Sequence, residues 1–351
     1  MKLWAVVENQ QPLQCLEVAD PEPAGTEVVI AVTHCGVCHS DLHFWKGSYN
    51  MGGGKTLTIT DRGVTLPRAP GHEVVGRVVA KGPEASGIEI GDLRIVYPWL
   101  GCGRCFRCRE GDDNMCGSPS AIGVIRHGGF GSHVVVPHPR YLVDYGDVDP
   151  CVAATFACSG ITVYSAIRKL GALDPDRPVV LIGAGGLGLA VIGMLRALGH
   201  RAIISIDTSE GKREAAAAAG ATATRDGTAG DLAEAVMRAA DGPALAVLDF
   251  VNSTSTANSA LGFLGKGGKL VLVGVAGGDM TLSLAGMVFR AHSIQGSNTG
   301  TVRDLIAVTE LAKAGKLPPL PVQRMPKDSA NEALRRLGAG DVIGRIVLET
   351  T

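Results

Sequence analysis

Cys102, Cys105, Cys108 and Cys116 lie in one short run with the spacing C-x2-C-x2-C-x7-C. Four thiolates from a single loop can enclose one tetrahedral Zn²⁺ and leave no position for water, so this run predicts a structural metal site. Other candidate donors are dispersed. Cys38 stands in Cys35-Gly-Val-Cys-His-Ser-Asp-Leu-His43, His72 in Pro70-Gly-His-Glu-Val-Val-Gly76, and Cys158 in Thr155-Phe-Ala-Cys-Ser-Gly-Ile-Thr162. Together Cys38, His72 and Cys158 would make a Cys2His set one donor short of a closed tetrahedron, the form zinc takes when a substrate or water must bind. Spacing does not bring them together. By itself it leaves His72 as a structural histidine and Cys158 as a small buried hydrophobe.

A third pattern concerns a nucleotide. Val179–Ala190 contains G-x-G-x-x-G at Gly183, Gly185 and Gly188, with Leu187 inside the turn. The run follows an apolar strand and opens a helix. The first glycine permits the tight turn, the second lets the backbone approach a pyrophosphate at the helix N-terminus, and the third lets helix and strand pack closely. Asp207 ends the next strand-like run, 24 residues after Gly183. A carboxylate there can accept from ribose hydroxyls and would repel a 2′-phosphate. Thr208 follows it where an arginine could have welcomed that phosphate, and Lys212, a helical turn on, could bridge to the ribose. The pattern points to NAD. The blander alternative is a helix-packing turn and a surface aspartate.

These residues need elements to hold them. Up to about residue 158 the chain reads as short β-like runs, among them Glu27–Val32, Glu73–Ala80 and His133–Pro137, punctuated by Gly, Pro and Asp. From about residue 175 strands and helices alternate: Pro178–Ile182, Leu187–Leu198, Arg201–Ile206, Gly211–Ala219, Asp231–Ala240, Leu245–Val251 and Lys269–Val275. Such alternation predicts a doubly wound parallel sheet. A helix over Thr301–Ala314 and a helix–strand piece over Asp328–Leu348 close the chain.

The 351 residues suit two domains, and a formal net charge of −1 gives no electrostatic case for nucleic acid or an anionic membrane as partner. The N-terminus meets Glu8 before any long apolar run and does not read as a signal peptide. Val179–Leu195 could span a membrane by length, but its glycine pattern has the better explanation above. Nine cysteines, clustered with ligand spacing, favour metal binding in a reducing cytoplasm over disulfides.

In its joint pattern the chain resembles the zinc-dependent medium-chain alcohol dehydrogenases. The matching pieces are Gly36–His43, Gly71–Gly76, the four-cysteine lobe, Cys158–Tyr164, the Gly183–Gly188 turn with Asp207, and Gly344–Val347, in order over nearly the whole chain. The resemblance implies an α/β fold: a GroES-like, mostly-β catalytic domain from 1–158 and 297–351 with a zinc lobe near 98–117, and a Rossmann-fold NAD domain from 159–296. It implies two zincs per chain, a catalytic one on Cys38, His72 and Cys158 and a structural one on Cys102, Cys105, Cys108 and Cys116. Asp41 would orient the ligand histidine, Glu73 would stand beside the zinc, and Ser40 and His43 would relay the alcohol proton to solvent. His39 and Arg345 would sit near the pyrophosphate and Thr162 against the nicotinamide. Read singly, Asp41 could be a loop cap, Ser40 a turn hydroxyl, His43 a surface residue and Arg345 an ion-pair partner. Cys15, Cys35 and Cys151 have no ligand role.

The implied reaction is reversible oxidation of a primary or secondary alcohol, with hydride passing to NAD. Alternatives are a polyol, an amino-alcohol or a specialised catabolic alcohol on the same site, or a non-catalytic nucleotide-binding relative. Trp45 and Trp99 are candidates for the substrate pocket, and each could equally be core. The segment Tyr49–Gly63 is longer and richer in glycine than in small-alcohol yeast-type enzymes and would enlarge or lid the entrance. A long insertion before the zinc lobe, typical of dimeric animal enzymes, is missing, which makes a homotetramer the expected assembly.

Overall fold

The computed structural model describes residues 1–350, and two sheets organise them. The first has six parallel strands in the order Ala223–Asp226, Ile203–Asp207, Val179–Ile182, Ala244–Asp249, Leu264–Leu272 and Ser293–Gly296. Chain order runs outward in both directions from Val179–Ile182, the mark of a doubly wound sheet with a crevice at the carboxyl ends of its central strands. Its central strands are apolar on both faces because both are covered. Val179, Leu181 and Ile203 join the core shared with the rest of the molecule, while Val180, Ile182, Ile204 and Ile206 join a second core closed by Val236 and Phe263.

The second sheet is mixed and uses both ends of the chain. Its order is Val322–Pro326, Arg345–Glu349, Val28–Val37, Glu73–Lys81, Leu93–Val96 and Leu142–Val143, with His133–Val136 also paired to Val28–Val37. The strand Val28–Val37 runs five residues past the Glu27–Val32 expectation, because Cys35, Gly36 and Val37 are buried between neighbours.

Between the sheets lies one long helical rod. Asp149 accepts a hydrogen bond from the Cys151 N–H at 2.8 Å and Pro150 occupies the first turn, so the helix starts there. Residues Pro150–Thr155 are α-helical, Phe156–Gly160 form a π-helical turn, and Ile161–Leu170 resume the α-helix until Gly171 at φ +81°. Pro150–Leu170 is apolar and long enough to cross a membrane, but 83% of its apolar window is buried inside this fold, which makes it a core helix. Sequence periodicity missed it, together with the helices Thr254–Phe263 and Leu284–Arg290 and the edge strand Ser293–Gly296.

Candidate active site

Strand Val28–Val37 delivers Cys38 to the start of helix His39–Lys46. Asp41 then acts as a hub. Its Oδ2 accepts from the Cys38 N–H at 2.9 Å, its Oδ1 accepts from the Gly71 N–H at 2.9 Å, and the same Oδ1 lies 3.2 Å from His72 Nδ1. A carboxylate only 1% exposed thus holds two of the three chain segments that carry donors, which goes beyond a loop cap. With Nδ1–H turned to Asp41, the other nitrogen of His72 is the free lone pair. His72 Nε2 is buried and has no hydrogen-bond partner.

Cys158 rides on the π-helical turn, a distortion that re-aims a side chain within an otherwise regular helix. Its Sγ is 3.9 Å from Cys38 Sγ, and the donor atoms of Cys38, His72 and Cys158 all lie within 4.8 Å of one another. The Cys158 thiol hydrogen bond, opposed by burial and helped by His72, holds Cys38 well below the usual thiol range. An orphaned imidazole nitrogen facing two thiols that can give up their protons to a metal fits a zinc ion with a fourth position open. Trp99 walls the cluster: its ring centroid is 5.1 Å from that of His72, and its indole N–H donates to Ala157 O at 3.1 Å. Trp45 does not join it. Its indole N–H donates to Gln11 O at 2.7 Å and its ring packs on the core.

Glu73 is fully buried and pairs with Arg345, itself 5% exposed. Burial, against the pull of Arg345, raises Glu73 to about 7. Gly36 makes this packing possible, since a Cβ there would overlap the Glu73 side chain, with Cβ to Cβ only 2.8 Å. Sequence reading placed Gly36 in the Gly36–His43 motif without a role of its own; its place between two cysteines was the available signal. Ser40 is half-buried, and among the described residues its hydroxyl has no hydrogen-bond partner. His43 is half-buried and stacks on Tyr49 with centroids 5.3 Å apart. Burial, then Lys46, lowers the His43 pKa, so the ring is neutral near pH 7. Tyr49 belongs to the hairpin Ser48–Asn50 and Thr56–Thr58, and its tip reaches the nucleotide-fold side, where Gly53 N–H donates to Asp279 Oδ2 at 2.7 Å.

A cleft adjoins the cluster, lined by His39, Gly185, Gly186, Lys212, Gly344 and Arg345 among others. Gly183 has φ +96°, and a Cβ on Gly188 would collide with the Gly183 carbonyl. A Cβ on Gly185 would meet no protein atom within 4 Å, so that glycine leaves room at the N-terminus of helix Gly186–Ala197, as a pyrophosphate requires. Leu187 lies in the first turn of that helix, and Thr162 is buried one turn beyond Cys158. Asp207 accepts from the Ala184 N–H at 2.8 Å and the Ser209 N–H at 2.9 Å, tying the glycine turn to the adenosine end. Arg213, which sequence reading overlooked, donates to the Asp207 and Thr208 carbonyls at 2.9 and 3.0 Å, so its guanidinium is occupied by backbone.

The four-cysteine lobe is equally well formed. Cys105 Sγ lies 3.5 Å from Cys108 Sγ and 3.8 Å from Cys116 Sγ, and Cys102 Sγ lies 4.0 Å from Cys108 Sγ. The backbone N–H groups of Cys102 and Ser118 both donate to Cys116 Sγ at 3.3 Å. Backbone N–H groups of Arg104 and Cys105 lower Cys102 to about 6. A thiolate-stabilising loop of four sulfurs fits one closed zinc site.

A doubly wound dinucleotide fold beside a buried, open Cys2His cluster is the architecture of a zinc- and nucleotide-dependent dehydrogenase. Two families match the chain: the alcohol dehydrogenase GroES-like domain over residues 24–147 and the zinc-binding dehydrogenase domain over residues 186–314. An NAD-dependent alcohol dehydrogenase of Sulfurisphaera tokodaii is 36% identical over 99% of both chains. A D-arabinose 1-dehydrogenase (NADP(+)) of Saccharolobus solfataricus is 32% identical over 96% of this chain and 94% of its own. The crystal structure of the alcohol dehydrogenase from Aeropyrum pernix superposes with a TM-score of 0.89 at 29% identity, covering 99% of this chain and 100% of its own. The chain belongs to the zinc-dependent medium-chain alcohol dehydrogenase family, with its GroES-like and Rossmann-type parts.

Proposed function

We propose that this protein oxidises a primary or secondary alcohol to the aldehyde or ketone, reversibly, with NAD as hydride acceptor. The observation that carries the reading is the convergence of Cys38, His72 and Cys158 around an unpartnered His72 Nε2, beside a glycine-cradled cleft. When bound, zinc supplies a Lewis acid for the substrate oxygen and NAD the hydride acceptor. The chain's own residues do the rest. Asp41 fixes the His72 tautomer and both ligand-bearing turns. Ser40 takes the alcohol proton, and His43, three residues on along the same helix and neutral near pH 7, passes it outward. Glu73 and Arg345 form the buried wall between the cluster and the pyrophosphate cleft. Gly183, Gly185, Gly188, Leu187, His39 and Lys212 receive the pyrophosphate, Asp207 the ribose and Thr162 the nicotinamide. Trp99 forms one wall of the substrate pocket, and the Tyr49 hairpin covers the entrance.

The same reading assigns two zincs per chain, the second in the lobe. It divides the chain into a catalytic unit of 1–158 and 297–351 and a nucleotide unit of 159–296, in line with membership of the two sheets. It places the protein in the cytoplasm, a reducing setting that suits nine free thiols. It expects a homotetramer: Leu284, Val288 and Phe289 are 85%, 76% and 77% exposed on a helix that precedes the edge strand Ser293–Gly296, an apolar face and an outer strand edge that association would cover. A polyol or sugar substrate is the second reading, favoured by the likeness to the D-arabinose enzyme.

The test is NADH formation at 340 nm against primary, secondary, aromatic and polyol substrates, with NAD and NADP in parallel and metal content measured on the same sample. Turnover of one class with NAD and two firmly held zincs supports the proposal. Silence across the panel from a protein lacking zinc at Cys38, His72 and Cys158 would return it to a non-catalytic role.

A further inference from the structure

A third donor cluster lies outside both cysteine-rich sites. His34 and Glu349 stand opposite each other on the antiparallel strands Val28–Val37 and Arg345–Glu349, so their side chains share one face of the mixed sheet. Cys151, in the first turn of the long helix, packs over that face. His34 Nε2 is 3.9 Å from Glu349 Oε2, Cys151 Sγ is 4.0 Å from the same oxygen, and the three donor atoms lie within 4.8 Å of one another.

Proton accounting aims the histidine. Thr33 Oγ1 donates its single proton to Val75 O at 3.1 Å, so the 2.9 Å contact between Thr33 Oγ1 and His34 Nδ1 is donated by the ring N–H. In the neutral imidazole Nε2 is therefore the lone pair, and it faces a carboxylate oxygen across a gap too long for a hydrogen bond. The gap suits an ion between them. At tetrahedral angles, zinc bonds of about 2.0–2.2 Å to N and O and about 2.3 Å to S set N and O about 3.4 Å apart and S and O about 3.6 Å apart. The observed 3.9 and 4.0 Å exceed these by only about 0.5 Å, a closure within reach of the part-exposed Glu349 side chain.

Charge also closes. A thiolate and a carboxylate balance a divalent cation. The neighbouring Arg324 pairs with Asp149 at 2.5 Å and also reaches Glu349 Oε2 at 3.7 Å, so the ion takes over a carboxylate that Arg324 shares. Access comes from the solvent side, where the His34 and Glu349 side chains are 17% and 33% exposed, while Cys151 forms the buried floor.

We propose that His34 Nε2, Cys151 Sγ and a Glu349 carboxylate oxygen form a third zinc site with one open position. A thiolate, an imidazole and a carboxylate together select a borderline cation such as zinc over magnesium or calcium. Binding exchanges the Cys151 thiol proton for the metal and releases it to solvent. Water fills the fourth position, and the ion ties the last strand to the strand that leads into Cys38 and to the helix that carries Cys158, four and seven residues upstream of those ligands.

The test is metal content per chain after equilibrium dialysis of the full-length protein against buffered micromolar Zn²⁺, for wild type, His34→Ala and Glu349→Gln. Both substitutions are at part-exposed positions outside the reaction machinery. The expected result is one zinc fewer per chain in each variant than in wild type, with alcohol turnover retained and a larger zinc-dependent rise in melting temperature in wild type than in either variant. Equal zinc content in wild type and His34→Ala overturns the proposal, whether the shared number is two or includes adventitious surface ions.

Discussion

The two sulfur-rich sites differ in how the chain builds them. The lobe takes four donors from a single loop, partly exposed, with backbone N–H groups pointed at its sulfurs. The Cys38 cluster takes three donors from three separate segments, all buried, and depends on Asp41 to hold two of those segments together. A local, four-donor site closes around its ion and can only contribute stability. A non-local, three-donor site leaves a position free, and its precision has to come from the fold around it.

That contrast can be broken at several points. Cys105→Ala opens the closed site, and loss of a structural metal belongs among the largest stability effects. We expect unfolding free energy to fall by more than about 4 kcal/mol in urea titrations, with a wild-type midpoint contradicting the structural role. Ser40→Ala leaves both metal clusters untouched and should lower turnover about 10²–10⁴-fold at unchanged zinc content, the range for losing a positioned proton acceptor. Unaltered turnover would remove Ser40 from the relay. Asp41→Asn weakens only the non-local site: zinc affinity there should drop about 10–100-fold in chelator competition while the lobe keeps its ion. Equal loss from both would erase the distinction. Asp207→Ala touches neither metal and should raise the NAD KM about 10-fold, the worth of one hydrogen bond to a charged group, and narrow the preference over NADP. An unmoved cofactor ratio would place the adenosine end elsewhere.

What the sequence disclosed follows the same division. The lobe is legible because its ligands are close in the chain and their spacing is the geometry. The Gly183–Gly188 turn and Asp207 are legible for the same reason, since strand, turn, helix and acid are contiguous. Cys38, His72 and Cys158 are far apart, and only the resemblance to a family united them before the fold did. The pairing of Glu73 with Arg345, 272 residues apart, has no local signature beyond the small residue Gly36 that makes room for it. The long core helix escaped because Cys158 sits on a π-helical turn that breaks the 3.6-residue rhythm. The edge strand Ser293–Gly296 escaped because its exposed, polar Ser and Gln do not look like a buried parallel strand. Choosing Trp99 over Trp45 as a pocket wall needed the three-dimensional position of His72.

The most direct test of the open-site account is zinc content and alcohol turnover measured together on Cys158→Ala. The account predicts one zinc fewer per chain, turnover reduced to background, and a retained lobe zinc with near wild-type melting. Full turnover, or a protein that sheds the lobe zinc as well, would contradict it.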